Sequence, residues 1–186
     1  MTWTDIKKFA MLDFEASSLS DNSWPIEVGI SWIAERKVET WSSLILPDPT
    51  WDISDWSSQS EEVHNIPLVS LKKAPEADRV ALNLIEKVAG RTLISDAPPF
   101  EQFWLKQLLS VGAEVPPHVI EDYHAVSFAL FDGFALDVLY EKLERPIVPH
   151  RAGPDSARLA SGWLRACEIQ RRAKGANTSQ RLPSDL

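Results

Sequence analysis

Apolar and polar positions alternate with a period of two through the first quarter of the chain and recur at helical spacing through much of the rest. Residues 9–14 are an apolar run interrupted by Asp13, 26–34 alternate apolar with polar or small residues, and 38–46 repeat that pattern up to Pro47-Asp48-Pro49. Successive side chains of a strand point to opposite faces, so the three segments predict three strands in succession, an antiparallel meander. Over 77–88 the apolar residues return at three- and four-residue intervals, which predicts an amphipathic helix. A short buried strand at 92–95, a helix over 100–111, a fifth strand at 119–123 and helices over 127–143 and 156–170 complete the pattern. From Arg171 onward Gly, Asn, Thr, Ser, Gln and Pro dominate, which predicts a frayed tail. The expected organisation is one α/β domain over residues 1–170 and a disordered tail over 171–186.

Composition narrows the class. A chain of 186 residues, 44% of them hydrophobic, is long enough to bury a core of its own. No stretch approaches the roughly 18 uninterrupted apolar residues that span a bilayer, and Met1-Thr2-Trp3-Thr4-Asp5-Ile6-Lys7-Lys8 lacks a secretory apolar region. The single cysteine, Cys167, allows neither an internal disulfide nor a cysteine-based zinc site. These features predict a cytoplasmic protein without a membrane partner. The net charge of −8 argues against tight, sequence-independent duplex binding, which rests on neutralising phosphates with Lys and Arg. It leaves room for a nucleic acid held only at its end. Arginines of the last helical pattern, Arg158 and Arg165 among them, read as a solvated face.

The chemistry lies in short segments in fixed order. Asp13 and Glu15, in Leu12-Asp13-Phe14-Glu15-Ala16-Ser17-Ser18-Leu19, are spaced by two on a strand and so share a face, where together they can hold a cation. Asp96 and Glu101 follow in Ser95-Asp96-Ala97-Pro98-Pro99-Phe100-Glu101, at a strand-to-helix turn. His150 stands five residues before Asp155, in His150-Arg151-Ala152-Gly153-Pro154-Asp155, where Pro154 suits a first helical turn and the helix dipole favours the anion. Val63-His64-Asn65-Ile66 adds a second histidine. The order resembles that of the DEDDh 3'-to-5' exonucleases, the group of ribonuclease T, proofreading subunits and oligoribonuclease. The Asp-x-Glu and His-x4-Asp segments match that family's pattern. Asn65 replaces its usual Gly, and Ser95-Asp96 with Phe100-Glu101 departs from its His-Asn and Phe-Asp. Alignment on the aromatic residue makes Glu101 the counterpart acid, and alignment on residue type makes it Asp96.

The resemblance implies a ribonuclease H-like fold with a mixed five-stranded sheet flanked by helices. It also implies 3'-to-5' removal of 5'-mononucleotides from a single-stranded DNA or RNA 3' end. Asp13, Glu15, Asp155 and the second-motif acid, Asp96 or Glu101, would hold two divalent cations, Mg2+ or Mn2+, and His150 would be the general base. Ala16, Ser17, Leu19 and His64 would meet the terminal nucleotide, and Arg151 a phosphate. Trp56, in the polar stretch before His64, either stacks on a base or pins its loop to the core. Whether the substrate is DNA or RNA, and whether the chain forms a homodimer, the sequence leaves open. The alternative reading is a catalytically weak nucleic-acid-binding or regulatory module that keeps the fold but has relaxed its second acidic motif.

Overall fold

Alternation along the first strand, β1 (Phe9–Ala16), sorts its side chains between two helical layers. Ala10, Leu12, Phe14 and Ala16 enter one core cluster and Met11 the other, which places Asp13 and Glu15 on the Met11 face. The structure, a computed structural model, describes residues 3–112, 118–144 and 150–179; residues 180–186 of the expected tail lie outside the described residues. The remaining strands are β2 (Pro25–Ala34), β3 (Lys37–Leu44), β4 (Thr92–Ser95) and β5 (Ile120–Asp122), and the sheet order is β3-β2-β1-β4-β5. The first three form the expected antiparallel meander, while β4 and β5 run parallel to β1. The register of β1 on β2 shifts between Glu15 and Ala16, a bulge at the acidic end of the strand.

Helices complete both layers. They are α1 (Trp3–Ile6), α2 (Ser58–His64), α3 (Ala77–Val88), α4 (Pro98–Gly112), α5 (Tyr123–Leu130), α6 (Gly133–Glu144) and α7 (Ala152–Ser179). Helices α3 and α4 cover one face through Val80, Leu84, Trp104 and Leu108. Helices α5, α6 and α7 cover the other, where Tyr123, Leu139, Leu159 and the fully buried Trp163 meet Met11 and Ile94. The mixed sheet flanked by helices is the fold class expected. No helix among the described residues is long and apolar enough to cross a membrane.

Several elements differ from the pattern reading, among them α1, which no periodicity announces. The helix expected over 127–143 is two helices, because Phe131 is extended (φ −120°, ψ 153°) and Gly133 takes φ +47°. The break turns Phe131 inward, edge-on to Trp163 at 5.7 Å. Helix α2 had no apolar periodicity to announce it; its start is set by Ser57, whose side chain accepts the Ser60 N–H. Helix α7 begins at Ala152 rather than 156 and continues to Ser179, into the segment expected to fray. Its first turns are packed on the sheet, and Arg171-Arg172-Ala173-Lys174 are good helix formers that carry it onward.

One glycine sets the approach of α7. Gly29 pairs with Asp13 across the β1–β2 ladder, and a Cβ there would lie 2.1 Å from the Ala152 carbonyl oxygen. Beside it, Ser31 Oγ meets Ser156 Oγ at 2.9 Å and Thr40 Oγ1 at 2.8 Å. This seam of small residues lets the N-terminus of α7 sit directly on β2, next to the acids of β1.

Candidate active site

Strand β1 and helix α7 bring three carboxylates together. One side-chain oxygen from each of Asp13, Glu15 and Asp155 lies within 4.8 Å of the other two. The two oxygens of Asp155 divide their work: Oδ2 accepts the Arg151 N–H at 3.1 Å, while Oδ1 is buried and accepts no hydrogen bond among the described residues. Burial, then repulsion from Glu15, Asp155 and Asp96, holds the Asp13 carboxyl well above its ordinary value. Burial and the charges of Asp155 and Glu27 push Glu15 up to about 8. Burial raises Asp155 as well, against the opposing pull of the Arg151 N–H, Arg158 and His150. Crowded, dehydrated carboxylates are costly to ionise unless a cation joins them, and an all-oxygen donor set suits a hard divalent ion such as Mg2+ or Mn2+. The residues present therefore fit such a metal.

The second acidic motif lies beside this triad and is built differently. Glu101, 3% exposed on the first turn of α4, is raised by burial first and then by Asp13, Asp96 and Glu15, while the Phe14 N–H opposes the rise. Its Oε2 has no hydrogen-bond partner among the described residues. Asp96, at the end of β4, faces Arg158 with Oδ2 3.5 Å from Nη2. Asp96 raises Asp13, and Asp13 raises Glu101, yet neither Asp96 nor Glu101 belongs to the tight three-carboxylate group. His150 is exposed at the start of α7 with φ +46°.

A cavity of about 280 Å³ opens beside Glu15, lined by Phe14, Ala16, Leu19, His64 and Trp104. Burial lowers the affinity of His64 for a proton there. Its Nδ1 accepts the Ile66 N–H at 3.0 Å, so Nε2 carries the hydrogen, buried and without a partner among the described residues. Asn65 makes the turn after α2 in the left-handed conformation, φ +53°.

Solved structures share this arrangement of strands and helices. The nuclease domain of 3'hExo, a DEDDh family member bound to rAMP, matches with a TM-score of 0.63 at 15% identity, over 87% of this chain and 92% of that one. A full-length 3'-exonuclease matches with a TM-score of 0.62 at 16% identity, over 87% and 82%. Exonuclease X in complex with 5' overhanging duplex DNA matches with a TM-score of 0.56 at 15% identity, over 88% and 93%. This chain has the 3'-exonuclease fold. No protein-family model and no curated protein matches it.

Within that fold the candidate site residues fall into two sets. Asp13, Glu15 and Asp155 converge, Asp96 and Glu101 flank them, and Ala16, Leu19 and His64 line the cavity. Ser17, Trp56 and the side chain of Arg151 do not line the cavity. Ser17 is fully buried, its Oγ accepting the Trp24 N–H at 3.0 Å and its carbonyl the Ser57 N–H at 2.9 Å. Trp56 packs on Trp24 at 5.8 Å and donates Nε1 to Glu61 at 2.8 Å. Arg151 is held by Glu27, with Nε to Oε2 at 2.8 Å and Nη2 to Oε1 at 2.6 Å.

Sequence reasoning missed Glu27, Trp104 and the true direction of Arg158. Glu27 also accepts the Ala152 N–H at 3.0 Å, so it ties the start of α7 to β2. A buried acid inside the apolar run Pro25-Ile26-Glu27-Val28-Gly29-Ile30 was the available signal. Arg158 faces the acids instead of forming a solvated surface; its place three residues after Asp155, on the same side of a helix, was the signal.

Proposed function

We propose that this chain is a metal-dependent 3'-to-5' exonuclease of the DEDDh kind, which releases 5'-mononucleotides from the 3' ends of single-stranded nucleic acid. The observation that carries this reading is the convergence of Asp13, Glu15 and Asp155 within 4.8 Å on an exonuclease fold, with all three carboxyls raised. A divalent cation, Mg2+ or Mn2+, bound there would stabilise the charge that develops on a phosphodiester. Asp96 and Glu101 are the remaining donors for a second cation, and Arg158 already pairs with the first of them. His150 takes a proton from the attacking water at a ring nitrogen, and its exposure lets it reach a solvent molecule.

The cavity beside Glu15 takes the terminal nucleotide in this reading. Leu19, 74% exposed, packs on the last base, and the His64 Nε2 hydrogen meets an acceptor on the nucleotide. The structures of 3'hExo with rAMP and Exonuclease X with DNA support a nucleic-acid substrate. Arg151 acts through Glu27, fixing the segment that carries His150 and Asp155. The experiment is incubation of the chain with single-stranded DNA and RNA labelled along their length, with and without Mg2+. Stepwise shortening from the 3' end and mononucleotide product, only with the cation, are expected. Departure from the usual acid at Glu101 favours a second reading, a weakly catalytic binding module; retention of the strands without shortening would select it.

A further inference from the structure

Resting on the nuclease reading, we propose that Arg158 supplies a fixed positive charge in place of a second divalent cation, so that the chain loads a single ion on Asp13, Glu15 and Asp155. Arg158 lies on α7 one turn beyond Asp155. Its Nη2 is 3.5 Å from Asp96 Oδ2, and its Nε is 3.8 Å from Asp155 Oδ1. The side chain is 18% exposed, and the Nε hydrogen finds no acceptor within hydrogen-bond distance among the described residues. One guanidinium thus spans an acid of the tight triad and an acid of the second motif.

An arginine that served only to join α6 to α7 would need no more than its Nη1, which donates to the Leu143 carbonyl at 3.4 Å. The other two nitrogens face carboxylates, and guanidinium cannot shed its proton in a protein. Its charge is therefore permanent. A divalent ion on Asp96 would have to displace this ion pair or lie against the guanidinium, and like charges repel strongly where water is scarce. Glu101 keeps an unpartnered Oε2, but it is buried on α4, takes the Phe14 N–H and is driven by burial toward its uncharged form, so it offers one neutral oxygen in place of a pair of carboxylates. At the triad the same guanidinium stands farther off, Nε 3.8 Å from Asp155 Oδ1 with no hydrogen bond between them, and three converging carboxylates outnumber its single charge, so that place remains open to a cation.

The test is titration of the full chain with Mn2+ alone, read by calorimetry and by electron paramagnetic resonance. The wild type should bind one ion and give the spectrum of an isolated Mn2+. Arg158→Gln should bind two and show the broadening of a coupled pair, while Arg158→Lys, which keeps the charge, should stay at one. Two ions on the wild type, or a folded Arg158→Gln that still takes one, would overturn the proposal. Should Arg158→Gln lose its far-ultraviolet dichroism and so its fold, the wild-type stoichiometry decides alone. Binding of no ion at all would overturn the nuclease reading and this inference with it, an outcome distinct from binding of two.

Discussion

The two sides of the acidic site solve the problem of crowded charge in different ways. On the β1–α7 side Asp13, Glu15 and Asp155 face one another, and among the described residues the cationic side chain that reaches them is Arg158, its Nε 3.8 Å from Asp155. On the β4–α4 side Asp96 meets the same guanidinium at the shorter distance of 3.5 Å, and Glu101 is sealed from water. The first side can be relieved by an ion from solution, whereas the second is already relieved or neutralised by the protein itself. The difference teaches that acids following one another in a fixed order along a chain need not be equivalent ligands.

Replacing one member on each side tests this most severely. Asp13→Asn should abolish both Mn2+ binding at the triad and nuclease turnover, while Asp96→Asn should leave Mn2+ bound. Equal losses of Mn2+ affinity in the two variants, measured by calorimetry, would erase the distinction. His150→Ala should act on neither side: Mn2+ affinity should persist, and turnover on single strands should fall by about 10²- to 10⁴-fold, as for a lost general base. Near-normal turnover in a variant that still binds metal would remove His150 from the reaction.

A smaller effect should come from beneath the triad. Glu27→Gln keeps a polar side chain of the same shape but weakens the paired bonds to Arg151 and the hold on the Ala152 N–H. Mn2+ affinity should drop by about 10- to 100-fold, as when a ligand loses its supporting partner. A lower melting temperature with unchanged affinity would make the Glu27–Arg151 pair a tie between β2 and α7 and nothing more.

How much of this was legible in the sequence depended on whether a signal was periodic or local. The meander was legible because β1, β2 and β3 alternate, and the residues over 77–88 and 92–95 matched α3 and β4 residue for residue because both are bounded by turns. Asp13, Glu15 and Asp155 were legible because their spacing within a strand and at a helix start fixes their direction. Helix α2 was not, since Ser58-Gln59-Ser60-Glu61-Glu62-Val63-His64 has one apolar residue before its end and only a serine cap to mark it. Arg158 was misjudged because periodicity says which residues share a helix face but not which neighbour that face meets. Trp56 was left between two readings for the same reason; its partners Trp24 and Glu61 lie on other segments.

The gentlest test uses pH, and its sign follows from the raised carboxyls. Glu15 moves from an ordinary 4.5 to about 8 in the folded chain, so the folded state binds its proton more tightly than the unfolded chain does. That contribution to stability is fully present below pH 4.5 and is lost as pH rises through about 8. Asp13, raised by burial and by Glu15, pulls in the same direction. Without metal, the melting temperature should therefore decline between about pH 5 and 8.5, by a few degrees for each kcal/mol lost. Saturating Mn2+ favours the ionised carboxylates, so its stabilising increment should grow across the same range. Glu15→Gln should flatten both trends, because an amide does not titrate. Asp96→Asn should weaken them less, since Asp96 raises the Asp13 and Asp155 carboxyls only after burial and, at Asp13, after Glu15 and Asp155. A slope that vanished with Asp96→Asn and survived Glu15→Gln would reverse the assignment of the two sides and place the uncompensated charge on β4.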